Sequence, residues 1–246
     1  MLLLLLLSSC AMNRPARYDH VKNPTAFSTQ LVVVESPGWD SLTGTLQCYE
    51  RGEFGGAWNP VGGKVSVDFG RTGLAWGRGL QGGRLGSGPE KREGDGKSPA
   101  GVFRLSAVFG YAPADSMQFL KMPYVPATST CQCVDDPNSA YYNLVLDSLA
   151  VARPDWHSHE NMRQSDDSYK WGVLVDHNMS PREAGEGSCI FLHVWGGPTT
   201  TTAGCTAMEE SRIYSIIRWL DAGRNPVLVQ LPESEYVNWK RPWSLP

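Results

Sequence analysis

The chain has 246 residues, 41% of them hydrophobic, and 22 Lys and Arg stand against 25 Asp and Glu for a formal charge of −3. That is enough apolar material for one sizeable core. Only 19% of residues are charged and no basic block stands out, which excludes the electrostatic footprint of nucleic-acid binding. With 26 glycines, 17 prolines and 10% aromatic residues, the composition favours short strands joined by turns over long helices.

The N-terminus opens on a leucine run, Leu2 to Leu7, followed by Ser8-Ser9-Cys10. A bilayer span needs about 20 apolar residues, so residues 1–10 read as an export signal rather than a membrane helix. Leu7-Ser8-Ser9-Cys10 resembles a bacterial lipobox, in which a diacylated cysteine becomes the new N-terminus. Lipid on Cys10 would tether the protein to a membrane face, each buried CH₂ contributing about 0.8 kcal/mol. Residues 11–29 read as a linker, 30–232 as one catalytic domain, and 233–246 as a tail in which Trp239 and Trp243 are possible packing anchors.

Strand signals begin at Gln30–Val34 and continue at Gly44–Tyr49 and Lys64–Phe69, a pattern expected of an antiparallel meander. The glycine-rich stretch from Gly70 to Gly101 lacks the spacing of a phosphate-binding loop and reads as turns. Gly101–Leu105 is another strand, and a loop-rich section carries Cys131, Cys133, Asp135 and Asp136. Adjacent residues of an extended chain face opposite ways, so the two aspartates read as a turn rather than a catalytic pair. Trp171–Asn178 and Ser188–Trp195 are strong strand candidates, each with a histidine near its end, His177 and His193. Ile213, Ile216, Ile217 and Leu220 recur at helical spacing with Gly223 as a stop, and Val227–Leu231 is the last strand.

Export favours disulfides. Setting Cys10 and Cys205 aside, Cys48, Cys131, Cys133 and Cys189 remain, and at least one bridge is expected among their possible pairings. Cys131-x-Cys133 matches no common metal-ligand spacing.

The residues that carry chemistry are Cys205 and His193. Thr206 and Glu209 have the spacing of a capping box, which would put Cys205 at a helix start where the positive helix end lowers a thiol pKa. Gly204 before it suits a tight turn whose amides form an oxyanion hole. His193, one short loop upstream, is the candidate base of a Cys/His acyl-transfer pair. His177 and the adjoining Asn178 are expected to line the same site from the neighbouring strand.

Ile190-Phe191-Leu192-His193-Val194 followed by Thr202-Ala203-Gly204-Cys205-Thr206-Ala207-Met208 resembles the signature of the L,D-transpeptidase (YkuD-type) catalytic domain. Gly94-Asp95-Gly96-Lys97-Ser98-Pro99-Ala100-Gly101-Val102-Phe103 is similar to the G-D-x-x-T-P-x-G-x-F segment of that family. Asp135-Asp136-Pro137 with Tyr142-Asn143, and His177-Asn178, look like landmarks of the branch with a T-A-G-C motif.

The resemblance implies a mainly β fold, a β-sandwich or open barrel with a few short helices, working without cofactor or metal. It implies Cys205 as nucleophile and His193 as base acting on peptidoglycan tetrapeptide stems through a thioester. The acyl acceptor would be a stem amine, a D-amino acid, a lipoprotein lysine or water. Ala203 and Ala207 replace the polar residues found around the nucleophile in the better-studied branch, so Arg92, Lys97 or Arg182 would have to supply the charge for a substrate carboxylate. The loop from Trp195 to Gly204 is short, which favours hydrolysis beside transfer. Two alternatives are a zinc peptidase built on His157-Ser158-His159-Glu160 and a non-catalytic wall-binding lipoprotein.

Overall fold

The computed structural model of the chain describes residues 23–53 and 55–246. The segment read as an export signal, with Cys10, lies outside the described residues. The strands are β1 (Gln30–Ser36), β2 (Thr43–Gly52), β3 (Gly55–Asp68), β4 (Leu74–Trp76), β5 (Ser98–Gly110), β6 (Tyr124–Pro126), β7 (Cys131–Val134), β8 (Val145–Asp147), β9 (His159–Asn161), β10 (Trp171–Val175), β11 (Phe191–Val194), β12 (Thr206–Met208) and β13 (Val227–Pro232). Helix α1 spans Glu210–Trp219 and α2 spans Glu233–Lys240. The fold is mainly β, as expected.

β1, β2 and β3 form the meander, with Val33 opposite Gln47 and Gly44 opposite Val67. The main sheet runs β10-β11-β12-β3-β2-β1-β13-β5, and β5 also pairs with β10, so the path closes into a barrel. The length of β5 makes this possible: Gly101–Arg104 pair with β13, while Leu105–Gly110 pair with β10. Closure leaves few unpaired edges. Inward side chains such as Leu31, Val33, Leu46, Phe103 and Leu228 fill the core, each contributing about 1.5–3 kcal/mol through burial.

Helix α1 buries Ile213, Ile216 and Ile217 and packs on β10 and β11. It begins later than the capping-box reading implies. Glu209 is its N-cap without a side-chain cap bond, and Thr206 lies in strand β12.

Both ends of the described chain join the core. Residues 23–29 are not a free linker: Thr25 and Ser28 are buried, Thr25 Oγ1 donates to the Trp243 carbonyl at 2.6 Å, and Arg51 donates to the Thr25 carbonyl at 2.5 Å. The tail is likewise structural. Trp239 and Trp243 are buried and stacked with ring centroids 4.7 Å apart, so the packing unit extends on both sides of 30–232.

A second, three-stranded antiparallel sheet, β8-β7-β9, stands beside the barrel. Cys133 of β7 is bridged to Cys189 just before β11, and Cys48 and Cys131 are free and buried. A separate apolar cluster, including Phe109, Cys131, Met162, Tyr169 and Phe191, fills the junction. Cys205 belongs to that cluster.

Candidate active site

β11 and β12 run parallel, with Leu192 opposite Thr206 and His193 opposite Ala207. Alternation along a strand then puts Cys205, Ala207 and His193 on one face. Thr206 points to the other face, where its Oγ1 donates to Gln230 Oε1 at 2.8 Å, and Gln230 Nε2 donates to the Pro99 carbonyl at 2.8 Å.

Cys205 is held closely. Its Sγ accepts the Phe191 amide at 3.3 Å and lies 3.6 Å from the Cys189 carbonyl. Its own carbonyl accepts Ser98 Oγ at 2.8 Å and Thr202 Oγ1 at 2.7 Å. At residue 204 glycine relieves crowding and no positive φ is involved: a Cβ there would stand 3.1 Å from the Lys97 carbonyl, a tight approach.

The imidazole of His193 is fixed by its Nδ1, 2.7 Å from the Val194 carbonyl. A carbonyl only accepts, so Nδ1 carries the hydrogen, and the Ser168 carbonyl also acts on the ring in the sense that favours its protonated form. The Tyr169 ring stands edge-on to the imidazole, centroids 5.1 Å apart. Burial depresses the His193 pKa and pushes the Cys205 thiol up. The resting pair is therefore a neutral thiol and a neutral imidazole.

Both residues line a cavity of about 770 Å³. Thr200 to Ala203 form part of its rim, Arg71 and Lys91 supply positive charge, and Asp135, Glu160 and Asp166 supply negative charge. Lys91 is tied to Asp95 at 2.5 Å, whereas Arg71 has no ion-pair partner among the described residues. The Oδ1 atom of Asp135 is buried with no hydrogen-bond partner. Tyr169 donates its hydroxyl to Glu160, and desolvation raises Glu160 to about 7.

The model of the L,D-transpeptidase (YkuD) catalytic domain matches residues 66–229, two thirds of the chain. The chain belongs to this L,D-transpeptidase family. No curated protein and no solved structure matches it. As an L,D-transpeptidase-type domain it falls in a family that acts on peptidoglycan stem peptides.

Within the transpeptidase domain, the family-like segments converge on the cysteine. Ser98 anchors the Cys205 carbonyl, and the Lys97 carbonyl packs on Gly204. Asn143 donates to the carbonyls of His177 and Asn178 at 2.8 and 3.0 Å and accepts the Cys189 amide at 2.9 Å. That holds Cys189, at φ 55°, beside the nucleophile candidate.

Several site expectations change. Cys205 precedes a strand instead of a helix, so no helix end lowers its pKa. The Gly204 amide is already donated to Thr202 Oγ1 at 3.1 Å and is not a free oxyanion donor. Thr206 faces the core, as described, and has no place in an oxyanion hole.

His177 and Asn178 do not line the cavity. His177 accepts the Arg78 amide at Nδ1, 3.3 Å, and meets the Glu186 carbonyl at Nε2, 3.0 Å. Asn178 closes the loop after β10 by donating to the carbonyls of Glu183 and Gly187 at 2.8 and 3.0 Å. The candidate cations are also elsewhere occupied. Arg92 pairs with Glu90 and Glu186, Lys97 donates to the Thr72 carbonyl, and Arg182 donates to the Tyr142 carbonyl at 3.0 Å. The cations that do line the cavity are Arg71 and the Asp95-paired Lys91.

Asp136 is a turn residue that caps Asn138 and His157, while Asp135 faces the cavity, the opposite-face relation expected of neighbours. His157 leans on Asp136 at 3.3 Å, and no group of three or more His, Cys, Asp or Glu side chains is arranged to hold a metal among the described residues.

Arg71, Tyr169 and the cavity-facing role of Glu160 are absent from the sequence reading. Each reaches the site from a distant segment, and no local spacing signals that convergence.

Proposed function

We propose that this chain is a cysteine-dependent L,D-transpeptidase that cuts and rejoins peptidoglycan stem peptides through a thioester on Cys205. The observation that carries this is the Cys205 sulfur held by the Phe191 amide on the cavity face shared with His193.

His193 Nε2 takes the thiol proton as the sulfur attacks the carbonyl between the L-centre of diaminopimelate and D-Ala. The sulfur–carbon bond forms and the carbonyl pair moves to oxygen. Collapse expels D-Ala, which receives the proton from His193, and a thioester remains. An amine of a second stem then displaces the sulfur, or water does so and leaves a tripeptide. The exposed Thr200–Thr201 stretch of the rim supports the hydrolytic branch. Arg71 is the group suited to a substrate carboxylate. The reading includes export and tethering through lipid on Cys10, supported by the leucine run and the lipobox-like Leu7-Ser8-Ser9-Cys10.

The test is incubation of purified protein with disaccharide-tetrapeptide. Release of D-Ala with tripeptide and crosslinked dimer is expected, and no D-Ala release from wild type would refute it.

A further inference from the structure

Asp68 is a buried carboxylate that the thiol–imidazole steps do not use. It closes β3 opposite Ala207 of β12, and Ala207 in turn lies opposite His193 of β11. Residues registered across neighbouring strands put their side chains on one face of a sheet. Asp68 therefore stands on the face that carries His193, two strands and about 10 Å away, with the cavity-lining Ala207 between them.

The carboxylate is turned toward the loop that joins β11 to β12. Its Oδ2 accepts the Thr200 amide at 3.0 Å, and Asp68 is only 2% exposed. The residues after it continue the grip. The Phe69 carbonyl accepts the Thr202 amide at 3.0 Å, and the Arg71 amide donates to the Thr202 carbonyl at 2.9 Å. Thr202 Oγ1 then donates to the Cys205 carbonyl at 2.7 Å. Residues 68–71 thus hold the second half of the loop, whose Thr200 to Ala203 form part of the cavity rim. The grips on Thr202 are made by backbone groups of Phe69 and Arg71, whereas the grip on Thr200 is made by a side chain that a substitution can remove.

The turn that Asp68 grips is strained. Thr199 has φ 67°, a left-handed conformation in which a β-branched residue is rarely found. Such conformations persist where the surroundings over-determine them, and they concentrate at functional sites. A carboxylate is costly to bury, and it holds an amide more strongly than a neutral acceptor does. Both facts fit a residue placed to keep a turn from relaxing.

Building on the proposed thioester chemistry, we propose that Asp68 is a positioning residue that pins the Thr199–Thr200 turn at the cavity rim and so sets how the thioester divides between the amine of a second stem and water.

Both fates start from one thioester. In transfer the amine nitrogen bonds to the carbonyl carbon, the carbon–sulfur bond breaks, and the proton lost by the amine returns to the Cys205 sulfur through His193. In hydrolysis the oxygen of water takes the place of the nitrogen, with the same return of the proton. Asp68 lies behind the cavity wall, so it touches neither acceptor and moves no proton. Its effect is geometric. A peptide amine must be held along one line of approach, while water reaches the carbonyl from many directions. With the turn pinned, the rim keeps the shape that a peptide acceptor needs. With the turn released, transfer loses its alignment and water keeps its access.

The experiment gives disaccharide-tetrapeptide at a range of concentrations to wild type, Asp68→Asn and Asp68→Ala. It reads the ratio of crosslinked dimer to tripeptide against substrate concentration. The ratio compares two fates of one intermediate, so a smaller folded fraction or a slower acylation leaves it unchanged, and a merely structural role would not move it. Asn keeps an acceptor but loses the charge, and Ala loses both. The slope should fall by about 10-fold or more for Asp68→Ala, the scale of one hydrogen bond to a charged group. Asp68→Asn should lie between Ala and wild type. Hydrogen exchange followed by mass spectrometry should show residues 196–203 protected in wild type and less protected in both variants.

Slopes that are equal, or steeper in the variants, overturn the proposal. Wild type that forms no dimer at any concentration does so too, because no transfer path then exists for Asp68 to shape. Wild type that forms dimer alone should gain tripeptide in the variants, and its absence there is a further contradiction. Exchange of residues 196–203 in wild type at the rate of an unfolded chain overturns the proposal without any variant. Absence of D-Ala release from wild type is the separate result that overturns the underlying cysteine reading and this proposal with it.

Discussion

The backbone amide of Phe191 donates to the sulfur of Cys205 at 3.3 Å, and Phe191 lies two residues before His193 on the same strand. One strand thus carries His193 and the amide that holds Cys205, the two members of the proposed acyl-transfer pair. The amide favours thiolate, but burial outweighs it and the thiol stays neutral at rest. In the proposed mechanism the proton has to move during attack, and His193 is the residue assigned to take it.

His193→Gln should accordingly lower D-Ala release by about 100–10,000-fold, the range for loss of a general base. Because burial depresses the His193 pKa, the base form persists below the ordinary histidine range. Wild-type activity should not fall between pH 7.5 and about 6.5. Steady-state rates over that interval check this, and a midpoint of loss at the usual histidine value would contradict it.

Arg71→Ala should raise KM for a stem bearing a free carboxylate by about tenfold or more, since a charge-assisted pair contributes about 1.5–3 kcal/mol. The kcat should change less. Comparing tetrapeptide with its carboxamide analogue checks the assignment, because the analogue should lose its penalty difference between wild type and Arg71→Ala.

Much of the fold was legible because its signals are local. Alternation in Gly44–Tyr49 and Lys64–Phe69 marked β2 and β3, and the isoleucine spacing marked α1. Barrel closure was not legible, since it depends on β5 serving two partners. In the site, Cys205 and His193 were readable from the motif that carries them. His177 was misplaced because a strand-end histidine looks alike whether it faces a cavity or, as here, the Glu186 carbonyl. Tyr169 and Glu160 join Cys205 in lining one cavity only through the packing of distant segments.

His177 should instead appear in the pH dependence of stability. Its folded pKa is lowered to about 3 by burial and by Lys91, while the unfolded chain titrates near 6.5. The unfolded state binds the proton first, so the contribution is full above about 6.5 and shrinks as pH falls toward 3, by up to about 1.4 kcal/mol per pH unit. Denaturant unfolding at about pH 7 and pH 5 should show a smaller pH-linked loss for His177→Gln than for wild type. Equal losses would remove His177 from this role.

The Cys133–Cys189 bridge spans 56 residues of sequence, and in the chain-entropy account closing such a loop contributes about 4 kcal/mol. Cys133→Ser should lower the denaturation midpoint by a corresponding amount. It should also reduce acylation of Cys205, because Cys189 precedes the strand that supplies the Phe191 amide. Unfolding curves and adduct rates measured on the same preparation check both effects.

The most direct test of the account is where an acyl group lands. A carbapenem offers a strained carbonyl to the nucleophile, and intact-mass spectrometry with peptide mapping locates the adduct. A single adduct on Cys205 is expected for wild type and none for Cys205→Ala, whose fold should persist because the side chain is small and sits in an apolar cluster. An adduct on Cys48 or Cys131, or one retained by Cys205→Ala, would contradict the assignment of Cys205 as nucleophile.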